Sequence, residues 1–162
     1  MKNPETEYYQ IRTLIMTFII LLVISGVTAF FVETGLHYIV EWFQIKGAVG
    51  SWIHYVHQAI EEINQQYPFM SYGYDWLAFG HLIIALFFIG AYKEPLKNNW
   101  VIVYGMIACI AIFPTAFIAG FFRKIPIMWQ LIDCSFGVFG LLLLYIINRK
   151  TKRLETQINL MS

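Results

Sequence analysis

Charge is scarce in this sequence. Of its 162 residues only 13% are Asp, Glu, Lys or Arg, about half the share of a soluble domain, whereas 59% are hydrophobic and 18% aromatic. The net charge of +1 carries no basic excess and argues against nucleic acid as a partner. Cysteine is nearly absent. Cys109 and Cys134 form no C-x-x-C pair, which argues against a membrane thiol oxidoreductase. Both lie in apolar runs and are expected to be free thiols behaving as small hydrophobic residues. No His-Glu-x-x-His zinc signature occurs, and no internal repeat or low-complexity segment breaks the chain.

What the chain does have is long apolar runs. Four reach the length of about twenty residues that a helix needs to cross a bilayer. They are TM1 over 11–32, TM2 over 74–92, TM3 over 100–122 and TM4 over 127–147. The first is longer than a signal-peptide core and reads as a retained span. Small residues recur in each, among them Ser25 and Gly26, Gly105 and Ala108, and Gly137 and Gly140, where helices can approach closely. Pro114 interrupts TM3 and should kink it. The expected fold is an all-α membrane protein of a single domain, 1–162, with four transmembrane helices in a bundle and a tail over 148–162.

Lys and Arg set the expected orientation. Lys2, Arg12, Lys93, Lys97, Arg149, Lys150, Lys152 and Arg153 share one side with both termini, against Lys46, Arg123 and Lys124 on the other. By the positive-inside rule the termini are cytoplasmic and residues 33–73 extracytoplasmic.

Residues 33–70 are too patterned for a plain loop and read as an amphipathic helical cap between TM1 and TM2. Glu33, His37 and Glu41 recur every four residues, so the first span is expected to continue helically to about Gln44. Gly47 to Gly50 is the expected turn. A second helix over 51–66 puts Ile53, Val56, Ile60 and Ile63 on one face and His54, His57 and Glu61 on its flank. An antiparallel hairpin turning there would set Glu41 near His57 and His37 near Glu61.

The polar residues in or beside the spans gather toward the outer side. His81 and Asp133 each lie roughly 10 Å inside a span end at 1.5 Å per residue, with Asp75, Arg123 and Glu33 at the boundary. Intramembrane charges are costly and mark ligand or ion sites. His81, Asp133, Arg123, Asp75 and Glu33 are therefore candidates for an outward-facing polar pocket taking a lipid or small amphipathic ligand. His37, His54, His57, Glu41 and Glu61 are candidate ligands for a divalent metal. The leading functional class is a ligand- or lipid-binding protein, or an accessory subunit beside a partner membrane protein or further copies of itself. A metal-assisted hydrolase or lipid-modifying enzyme is the alternative. A haem electron carrier ranks last, because only His81 lies securely inside a span.

Overall fold

A computed structural model describes residues 3–43 and 45–160. The described chain is all-α, with six helices. Four are long and apolar enough to cross a membrane: α1 (Pro4–Phe30), α4 (Pro68–Lys93), α5 (Asn99–Arg123) and α6 (Ile127–Asn159). Two shorter helices, α2 (Val32–Phe43) and α3 (Gly47–Gln66), lie between the first and second of these.

The helix starts follow local chemistry. Pro4 opens α1 with its φ preset, and Asn3 Oδ1 accepts the Glu5 N–H at 3.1 Å. Pro68 opens α4 in the same way, so the break after α3 is the single residue Tyr67. The expected continuous helix from TM1 toward Gln44 is instead two helices parted at Phe31, and Gln44 itself lies outside the described residues. The physical reason is a tightened last turn. Thr28 Oγ1 donates to the Ser25 carbonyl at 2.9 Å, and the Phe31 N–H reaches Thr28 O at 3.2 Å, a 3₁₀-type bond. The turn between α2 and α3 also falls earlier than expected, because Gly47 (φ 81°) already begins α3. Gly50 is buried, and a Cβ there would lie 1.8 Å from the Ile45 carbonyl oxygen.

Contacts group the described chain into two compact units, residues 21–85 and residues 1–20 with 86–162. In the unit that holds both termini, Ile11, Ile15 and Phe18 of α1 form a buried stripe at i, i+4 and i+7. Phe18 meets Phe88 of α4 with ring centroids 4.7 Å apart. Helices α5 and α6 pack at their small residues. A Cβ on Gly137 would stand 2.9 Å from the Cys109 carbonyl oxygen, and one on Gly140 2.9 Å from Cys109 Sγ. Both cysteines are free and buried.

Helix α6 runs well beyond the predicted TM4. Leu144, Ile147, Thr151 and Leu154 are buried at i, i+3, i+7 and i+10, so one stripe carries the helix through the basic tail. Polar contacts secure this end. Arg12 stacks over Tyr92 at 4.3 Å, Tyr8 donates to the Lys93 carbonyl at 3.1 Å, and Lys150 donates to Gln10 at 2.8 Å. Asn99 donates to Asn148 at 3.1 Å.

In the unit of residues 21–85, α1 and α4 approach at Gly26, where a Cβ would meet Ala78 O at 3.0 Å and His81 Cβ at 3.1 Å. Helices α2 and α3 pack as an antiparallel hairpin, His37 beside His57.

Candidate functional site

Two clefts receive most of the candidate pocket residues. The larger, ≈ 500 Å³, lies between α5 and α6. Its floor is a run of small residues: Ala111, Thr115 and Ala119 stand four apart on one face of α5, with Ala108 a turn deeper. Arg123 and Asp133 line the same cleft, one at the end of α5 and the other in the second turn of α6.

The end of α5 explains how Arg123 comes to stand there. Lys124 adopts the left-handed conformation (φ 55°), its N–H and that of Ile125 turn back to Phe121 O and Gly120 O, and the helix closes in a Schellman motif. The chain reverses over three residues and α6 begins at Ile127 without a side-chain cap. Gln130 is buried inside this corner. Its Nε2 donates to the Ile125 carbonyl at 2.7 Å, and its amide covers Gly120, where any Cβ would collide with it.

The polar balance of the cleft is uneven. Thr115 spends its hydroxyl on the Ala111 carbonyl at 2.8 Å, and Gln130 is already engaged by Ile125. Pro114 lies within α5 without ending it and brings no N–H to the Ile110 carbonyl one turn back. Arg123 and Asp133 are exposed in the protein, and neither forms an ion pair or hydrogen bond with any described residue. They bring opposite charges to an otherwise apolar groove and leave both uncompensated.

The second cleft, ≈ 330 Å³, belongs to the unit of residues 21–85 and contains Glu33 and Asp75. There Asn64 is central: its amide nitrogen donates to Glu33 Oε2 and its carbonyl oxygen accepts from the Ser71 hydroxyl. One amide thus ties α2, α3 and α4 together. His81 lines neither cleft. It is half-buried, with Nδ1 2.8 Å from the Leu77 carbonyl oxygen. A carbonyl only accepts, so Nδ1 donates in this contact.

The cap residues pair differently from the expected register. Glu41 Oε1 is 3.4 Å from His37 Nε2 within α2, and the His37 and His57 rings stand 5.7 Å apart. The earlier turn at Ile45–Lys46 shifts the hairpin by about one helical turn, so His37 faces His57 where Glu61 was expected. Among the described residues no group of three or more His, Cys, Asp or Glu side chains converges on a point where an ion would sit. His54 borders the α2–α3 hairpin core beside Gly50, and Glu61 is exposed.

Sequence reasoning missed Gln130 and Asn64. Neither carries a charge, and each gains its place only from what it faces: Gly120 for the one, Glu33 and Ser71 for the other. No protein-family model, curated protein or solved structure matches this chain.

Proposed function

We propose that this is a membrane-embedded protein that binds an amphiphile in the cleft between α5 and α6. One observation carries the reading: Arg123 and Asp133 line one apolar cleft of ≈ 500 Å³ with both charges uncompensated. That volume falls in the range of small-molecule sites, which are mostly apolar with a few placed polar groups. A carboxylate such as Asp133 kept within an apolar span is expensive, and a bound head group offsets that cost where the fold itself does not. The apolar floor of Ala108, Ala111 and Ala119 suits a chain rather than a polar solute.

We place both termini in the cytoplasm and residues 33–73 on the opposite side, so the cleft's charged end opens toward the extracytoplasmic leaflet. The eight-to-three division of Lys and Arg supports this. The accessory-subunit reading draws on a different feature. Tyr38, Trp42 and Phe43 of α2 and Tyr55 of α3 are exposed aromatic side chains, the type enriched at protein interfaces. The metal-assisted alternative lacks a convergent ligand set among the described residues.

Native mass spectrometry of the gently extracted full-length protein tests the main reading. The wild type is expected to carry a co-purifying amphiphile. Ala119→Trp, at an exposed position on the cleft floor, should remove it while helical content by circular dichroism stays unchanged. An unloaded wild type, or loading indifferent to Ala119→Trp, overturns the reading.

A further inference from the structure

Resting on the amphiphile reading, we infer the class of ligand: a single-chain amphiphile bearing a phosphate, with a free hydroxyl beside that phosphate on the side toward the chain, as in a lysophospholipid. The order of groups along the cleft points to it. Arg123 is the last residue of α5. Asp133 lies six residues into α6, roughly 9 Å further from the turn at 1.5 Å per residue. Beyond it the floor along α5 is Thr115, with its hydroxyl spent, then Ala111 and Ala108. A ligand laid along this groove meets a cation, then a hydrogen-bond acceptor, then an apolar surface.

Each station selects a chemical group. The cation selects an anion. Lys124 follows Arg123 in the chain and adds positive charge to that end. Guanidinium favours phosphate through its planar array of donors. Asp133 is the second station, and an ionised carboxylate only accepts. The ligand must therefore present a donor there, displaced from the phosphate toward the chain. In a diacyl phospholipid both glycerol oxygens on that side are esterified and neither can donate. In a single-chain lysophospholipid one of them is a free hydroxyl. A phosphatidylethanolamine head presents its ammonium on the far side of the phosphate from its chains, away from Asp133. A groove along one face of one helix pair also suits one chain.

Competition against a fluorescent single-chain phospholipid on the full-length protein in detergent tests this. Three competitors are matched in chain length: lysophosphatidate, its deoxy analogue lacking the glycerol hydroxyl, and diacyl phosphatidate. Lysophosphatidate is expected to bind about tenfold more tightly than the deoxy analogue, the effect of one hydrogen bond to a charged group. Asp133→Ala should erase that difference, and Arg123→Gln should weaken all three alike. A wild type that binds lysophosphatidate and its deoxy analogue equally overturns the hydroxyl assignment and leaves the amphiphile cleft standing. A sphingoid phosphate, with an ammonium where the hydroxyl is, included as a fourth competitor, overturns it too if it alone depends on Asp133. Failure of every competitor, together with indifference of the wild-type load to Ala119→Trp, removes the amphiphile reading itself.

Discussion

Gln130 lies directly over Gly120. A Cβ on that glycine would fall 2.3 Å from Gln130 Cδ, and the same Gln130 amide holds the Ile125 carbonyl at 2.7 Å. The closure of the α5–α6 corner and the upper wall of the cleft therefore depend on one missing side chain. Gly120→Val should push the amide out and leave the Ile125 carbonyl unpaired. Overpacking of this kind costs about 1–3 kcal/mol. Thermal unfolding in detergent should show the loss, and amphiphile loading should fall with it. Gln130→Leu, which keeps the bulk and drops the bond, should cost about 1 kcal/mol. A Gly120→Val melting temperature equal to wild type would show that Gln130 is free to move.

The glycines of the long helices are not equivalent. Gly137 faces a backbone atom: a Cβ there would stand 2.9 Å from the Cys109 carbonyl oxygen, and a carbonyl on a packed helix has nowhere to go. Gly80 and Gly90 have nothing within 4 Å of where a Cβ would sit. Gly137→Ala should therefore separate α5 from α6 and destabilise by about 1–3 kcal/mol. Gly80→Ala and Gly90→Ala should be neutral or stabilising by up to about 1 kcal/mol, the helix-propensity gain of alanine over glycine. The ratio of folded to unfolded protein in a denaturant titration separates the two groups.

The spans were legible because a bilayer-length apolar run admits few other readings, and the small residues Gly137 and Gly140 marked where α5 and α6 meet. The ends were less legible. Hydropathy reports where apolar surface stops, whereas a helix stops where its hydrogen bonds do. Thr151 and Leu154 therefore keep α6 helical through residues that read as a charged flank. The break at Phe31 arises from carbonyl choices by Thr28 that no periodicity reveals. Arg123 and Asp133 were placed in one cleft by the short turn between their helices. Glu33 and Asp75 share another, but they come from α2 and α4 and meet only through the packing of α2, α3 and α4 around Asn64, which no local spacing reveals. The cap register was missed by about a turn because Gly47, read as part of a loop, starts a helix.

Glu7 is an anomaly at the other end of the protein. It continues the buried stripe of Ile11 and Ile15 by one turn, is 1% exposed, and its Oε2 has no partner among the described residues. A buried acceptor left unmade costs about 1–3 kcal/mol. Glu7→Met, close in volume and apolar, should raise the melting temperature, whereas Glu7→Ala should lower it by leaving a void. If Glu7→Met is the more damaging of the two, the carboxylate is serving an interaction that outweighs its burial.

Asn64 holds three helices with one side chain, donating an amide N–H to Glu33 Oε2 and accepting the Ser71 hydroxyl at its carbonyl oxygen. Its removal leaves a carboxylate and a hydroxyl in a part-buried cleft without their present partner. Asn64→Leu should accordingly cost more than any single hydrogen bond, about 2–3 kcal/mol, because the orphaned partners keep their desolvation penalty. Glu33→Gln retains an oxygen for the amide and should cost about 1 kcal/mol or less. The loss should be local. Hydrogen exchange should quicken in α2 and α3, while the buried stripe of α6 at Leu144 and Ile147 keeps its protection. Combining Asn64→Leu with Glu33→Leu removes donor and acceptor together, and should recover part of the loss, since the carboxylate no longer needs a partner. No recovery in the double variant would mean that the cost of Asn64→Leu does not come from the orphaned Glu33 carboxylate.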